Sequence, residues 1–172
     1  MEEHDFSGYV TKNDLRCADG RTIKQGSFTH QDGEIVPLVW KHGHDSPKNV
    51  LGHVLLEDRE DGVYGYIKCN DTADGVHSKA MVKHGDIRKL SIYANGLIEK
   101  AMDVIHGNIR EVSLVMNGAN PGAYIDSINL AHGDGIHPID GEAIITTDIP
   151  IELFHADDGE DEEDDEDETI QD

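Results

Sequence analysis

Glycine turn signals cut the first 120 residues into short pieces: Asp19-Gly20, Gln25-Gly26, Asp32-Gly33, Asp61-Gly62, Asn95-Gly96, His106-Gly107 and Asn117-Gly118. Between them lie runs with strand character, namely Tyr9–Thr11, Ile35–Trp40, Val50–Leu56, Val63–Lys68, Leu90–Ile98, Met102–His106 and Ile109–Met116. Short β-prone runs at this spacing argue for a β-rich barrel or sandwich and against alternating βαβ units. Asn95-Gly96 falls inside a run, so it is read as a bulge or bend, not a hairpin. One helix is predicted from Thr72 to His84, with Val76, Ala80, Met81 and His84 at helical spacing. Thr72 or Asp74 would cap its start and Gly85 would end it.

Charge confines that fold to the front of the chain. Residues 1–110 hold 17 acids against 14 bases, whereas residues 111–172 hold 19 acids and no Lys or Arg. Three zones follow: a β-rich domain over 1–130, a last strand or linker over 131–155, and an acidic tail over 156–172. Positions 157–168 carry eleven acids in twelve and can bury no apolar surface, so the tail is expected to be disordered. A net charge of −22 repels phosphate and argues against a sequence-independent nucleic-acid binder. No apolar stretch approaches the ~20 residues that span a bilayer. Met1–Asp5 offers neither a basic nor an apolar segment, so no secretory signal is expected. Cys17 and Cys69 have no metal or redox spacing and read as reduced thiols of a cytosolic compartment.

Three segments could carry chemistry. In Val39-Trp40-Lys41-His42-Gly43-His44-Asp45, the two histidines at i and i+2 would share one face of an extended strand. Such a histidine is a general base, a metal ligand or plain surface. Zinc would need further ligands, and beyond His53 nothing in the sequence supplies a good fourth. In Lys89-Leu90-Ser91-Ile92-Tyr93, alternation puts the Ser91 hydroxyl opposite Leu90 and Ile92, toward a cleft or solvent if those two face the core. There is no Gly-x-Ser-x-Gly elbow. In Arg110–Met116, Glu111 and Ser113 share one strand face. The Gly118–Ala123 turn that follows could offer the backbone N–H groups of Ala119, Asn120 and Gly122 to an anion, Pro121 having none. Each segment alone also reads as an ordinary strand, serine or turn.

Their order is more informative. Gly8-Tyr9-Val10, Ile23–Phe28, Val36–His42, Leu51–Val54, Asp61–Gly65, Leu90-Ser91-Ile92 and Glu111–Val115 with Ala119–Ala123 together resemble a known series. That series belongs to the prohead maturation proteases of tailed bacteriophages, distant relatives of the herpesvirus capsid protease assemblin. The resemblance covers residues 8–130. It implies a mainly β protein with a few helices, a small closed β-barrel of the assemblin type, and a serine endopeptidase activity. On it, His42 is the general base and Ser91 the nucleophile. Glu111 stands where assemblin has a third triad member, and Ala119 and Asn120 are the oxyanion donors. His44 stays open as an alternative base. Where the family follows Leu-Ser-Ile with Gly and an aromatic, this chain has Tyr93-Ala94.

The resemblance further implies that the phage major capsid protein and scaffold protein are substrates, and the chain itself a further one, inside the immature capsid in the host cytoplasm. No cofactor, metal, membrane or direct nucleic-acid contact is expected, and homo-oligomerisation is left open. The competing reading is a catalytically weak or inactive protease-like fold serving as a capsid, connector or decoration component.

Overall fold

The computed structural model describes residues 3–116, 122–123, 125–128 and 145–146. Among these residues nine strands form one sheet: β1 (Phe6–Lys12), β2 (Thr22–Ile23), β3 (Ile35–Trp40), β4 (Val50–Arg59), β5 (Gly62–Cys69), β6 (Lys89–Lys100), β7 (Asp103–Val115), β8 (Ile125–Ile128) and β9 (Ile145–Thr146). A single α-helix among the described residues, α1 (Ala73–His84), joins β5 to β6. It is too short to cross a membrane. The ladder runs β8-β1-β5-β4-β3-β7-β6-β9, with β2 added alongside β7. Most neighbours are antiparallel, but β3 and β7 run parallel at its centre.

The sheet curls into a half-barrel, and the closed barrel expected from the resemblance is not a continuous ladder among the described residues. Its two ends are nevertheless drawn together. The Leu90 N–H donates to the Ala123 carbonyl at 3.4 Å, and the Ile125 N–H to the Arg88 carbonyl at 3.0 Å. Ile125 in turn pairs with Gly8 of β1. Inside the curl, Phe6, Leu38, Leu56, Ile67, Leu90, Ile92, Ile109 and Leu114 are fully buried. Each such side chain contributes about 1.5–3 kcal/mol through removal from water. Residues 131–155, apart from the two-residue β9 that pairs parallel with Ile92 and Tyr93, lie outside the described residues, as does the acidic tail 156–172.

The helix has the expected ends and a different inner face. The Thr72 hydroxyl accepts from the Gly75 N–H at 3.1 Å, and Gly85, at φ +91°, returns its N–H to the Met81 and Val82 carbonyls. Yet Val76 is 54% exposed, while Gly75, Ser78 and Val82 are buried. A Cβ at Gly75 would sit 2.5 Å from the Asn70 carbonyl oxygen. The helix thus meets the sheet through Gly75, Ser78 and Val82, with Met81 packed against the core as its spacing suggests and Val76 left outside.

The β6–β7 connection also departs from the sequence reading. His106-Gly107 is no turn: the two runs read apart on either side of it fall within one strand, β7 (Asp103–Val115). A Cβ at Gly107 would meet Leu97 Cδ2 at 2.4 Å and crowd the Phe28 ring at 3.1 Å, which favours glycine within this continuous strand. The actual turn is Ala101-Met102, flanked by the paired Lys100 and Asp103, and both residues have positive φ, 52° and 72°. A two-residue hairpin of type I′ requires this, but Asn-Gly is the pair that adopts it without strain. Changing Ala101→Asn together with Met102→Gly is therefore expected to stabilise the fold by about 1 kcal/mol, read as a rise of a few degrees in Tm. An unchanged or lower Tm would show the strain to be relieved elsewhere. Asn95-Gly96 is the bulge anticipated, with the register shifting between Asn95 and Ile98.

Candidate active site

Parallel pairing of β3 with β7 brings the three chemical segments together. Val39 lies beside Ser113 and Trp40 beside Leu114, and the Lys41 N–H continues the ladder to the Leu114 carbonyl at 3.1 Å. There the chain leaves the sheet. Lys41 and His42 take positive φ, 46° and 56°, and the Gly43 N–H turns back to the Trp40 carbonyl at 2.8 Å. This turn swings the His42 side chain over β7. On the other side of β7, antiparallel β6 sets Ser91 opposite Ser113 and Tyr93 opposite Glu111.

The result is a buried relay. His42 Nε2 lies 2.9 Å from Ser91 Oγ, and its Nδ1 lies 2.5 Å from Glu111 Oε1. Ser113 Oγ donates to Glu111 Oε2 at 2.8 Å and accepts the backbone N–H of His42 at 2.9 Å. Ser91 and Ser113 are fully buried, and the side chains of His42 and Glu111 are only 7% and 4% exposed. A carboxylate without a proton can only accept hydrogen bonds, so the Glu111 contact favours the proton on Nδ1, and a neutral imidazole in that tautomer has its lone pair on Nε2, facing Ser91 Oγ. Burial of that carboxylate is tolerable because His42 and Ser113 both donate to it.

Two sequence expectations need correction here. His42 and His44 do not share a strand face, because β3 ends at Trp40 and the left-handed turn separates them. His44 is exposed, its ring edge-on to Tyr93 with centroids 5.3 Å apart. The Ser91 side chain does lie opposite Leu90 and Ile92, but it is not open to solvent; it sits under the His42 imidazole. Ala119 and Asn120 lie outside the described residues. In the sequence, Ser113 shows only as a residue sharing Glu111's face. Its link to His42 depends on a parallel pairing 71 positions apart in sequence.

Beside the relay runs a cleft of about 430 Å³. Pro37, Val39, Val50 and Tyr93 give it apolar walls, His44 and Arg110 give it polar ones, and Glu111 marks its contact with the relay. Successive strand residues normally face opposite sides. Arg110 and Glu111 line the same cleft because Tyr93 pairs with Glu111 and Ala94 with Ile109, which leaves Arg110 bulged out of the ladder. Such bulges re-aim side chains beside active sites.

No curated protein matches the chain. A family model does, over residues 1–134, which span strands β1 to β8 and every member of the relay. The chain belongs to the family of caudovirus prohead serine proteases.

Proposed function

We infer that Ser91 is the nucleophile, His42 the general base and Glu111 the orienting carboxylate of a serine endopeptidase that cuts capsid and scaffold precursors, and itself, within the immature capsid. Family membership carries the broader statement, a serine protease role in phage capsid maturation. The observation that carries the residue assignment is the imidazole held at both ends, 2.9 Å from Ser91 Oγ and 2.5 Å from Glu111 Oε1.

The chemistry follows from that geometry. A serine hydroxyl is a poor nucleophile until a base removes its proton. His42 Nε2 takes that proton as Oγ bonds to the scissile carbonyl carbon, and the carbonyl π pair moves onto oxygen. The proton then passes from Nε2 to the leaving amine as the C–N bond breaks. Water repeats the sequence on the acyl-enzyme. Glu111 holds the imidazole in the tautomer that leaves Nε2 basic and stabilises the imidazolium formed in between. The oxyanion is assigned to the Ala119 and Asn120 N–H groups on the family resemblance. The cleft beside Glu111 receives the substrate segment, its apolar walls taking a side chain and Arg110 a neighbouring carboxylate.

A fluorophosphonate tests the assignment directly, since it phosphonylates an activated serine with loss of fluoride. One adduct is expected, on the tryptic peptide holding Ser91. A chain that cleaves its precursor but carries the adduct on another serine would overturn the reading.

A further inference from the structure

Ser113 is fully buried, lies directly across from Ser91, and touches both the base and the carboxylate. We propose that it is a positioning residue of the active site, a fourth member that holds His42 and Glu111 in register through one hydroxyl. The proposal rests on the relay assigned above.

The hydrogen-bond inventory supports this. A hydroxyl has one proton and two acceptor lone pairs. At Ser113 the proton goes to Glu111 Oε2 at 2.8 Å, one lone pair takes the His42 backbone N–H at 2.9 Å, and His42 Nδ1 lies 3.2 Å away, toward the remaining lone pair. The same atom therefore touches the main chain of the base, its ring, and the carboxylate that orients the ring. Glu111 has two oxygens, and Ser113 occupies the one that the imidazole does not. This fixes the rotation of the carboxyl plane, so that Oε1 meets Nδ1.

The backbone of His42 has its own need for this contact. Lys41 and His42 both sit in the left-handed region, which non-glycine residues leave unless the surroundings hold them. The neighbouring N–H groups of Lys41 and Gly43 bond to main-chain carbonyls, whereas that of His42 bonds to the Ser113 side chain. Losing the Ser113 hydroxyl would leave a part-buried amide without its partner at the residue whose aim decides the reaction. A misplacement of the base by even 1 Å can cost about a hundredfold in rate. The Ser113 hydroxyl is fully buried and taken up by Glu111 and His42, so its loss should spare substrate binding.

The test compares Ser113→Ala, Ser113→Cys and Ser113→Thr in the purified full-length chain, with its capsid-protein precursor as substrate. Ser113→Cys keeps the side chain's size but replaces the hydroxyl by a weak donor and acceptor. It therefore reads the interaction even if Ser113→Ala fails to fold. For Ser113→Ala and Ser113→Cys, kcat should fall tenfold to a hundredfold at unchanged KM, and fluorophosphonate labelling of Ser91 should slow by the same factor. Ser113→Thr, which keeps the hydroxyl, should recover to within about threefold. Wild-type kcat in a folded Ser113→Ala or Ser113→Cys protein would overturn the proposal. So would a loss that follows thermal unfolding and that Ser113→Thr does not rescue. Ser91→Ala is run alongside: residual cleavage there would sink the serine assignment itself, whereas an inert Ser91→Ala beside a fully active Ser113→Cys would sink only this inference.

Discussion

Ser91→Ala, co-expressed with the capsid and scaffold proteins, is expected to leave the precursors uncut, with kcat lowered about a millionfold. The magnitude follows from how the site is built. Ser91 Oγ is the oxygen within hydrogen-bond reach of His42 Nε2, and without it the base has no proton to remove from an attacking group. What survives is the contribution of binding and of the oxyanion donors. A millionfold corresponds to about 8 kcal/mol of barrier, far more than any packing change at a residue this small could deliver. The variant should also fold normally, because Ala is accommodated in a strand whose flanking Leu90 and Ile92 remain fully buried. Processing that continued at a visible rate would reassign the nucleophile. Procapsids that assemble but retain full-length precursor would show that chemistry, not assembly, had been removed.

Much of this site is legible in the sequence, and what is not has identifiable reasons. Period-two alternation puts Glu111 and Ser113 on one face and Val112 and Leu114 on the other, and the fold keeps that division. The helix caps at Thr72 and Gly85 are local chemistry, so they read correctly. Failures occur where a residue's role is set by something distant. Gly107 carries the mark of a turn, but its requirement comes from Leu97 and Phe28 packing on a continuous strand. Ala101-Met102 makes a turn with residues that carry no turn signal. Val76 has the spacing of a core position, yet the close approach of Gly75 to Asn70 rotates it outward. The separation of His42 from His44 has the same origin. Nothing in Lys41-His42 announces two successive left-handed residues; the Ser113 hydroxyl and the main-chain bonds around them hold them there.

That turn makes the two histidines separable by experiment. His42→Ala should lower kcat by four to six orders of magnitude, while His44→Ala should cost less than about tenfold and act mainly on KM. The first removes the group that bridges Ser91 and Glu111; the second removes an exposed ring that borders the cleft and packs edge-on against Tyr93. The double variant Ser91→Ala/His42→Ala sharpens the argument. If serine and imidazole act as one unit, each is useless without the other, and the double change should be no slower than Ser91→Ala alone. Multiplying losses would mean that His42 acts independently of Ser91, as it would if it activated water directly. Should His44→Ala prove the more damaging single change, the turn must rearrange when substrate binds, carrying His44 from the cleft wall to Ser91. The buried Nδ1 bond to Glu111 would then have to break and the Ser113 contact to the His42 N–H be given up, leaving the carboxylate with Ser113 as its remaining donor and the His42 amide without its partner. That cost is why the base should be His42.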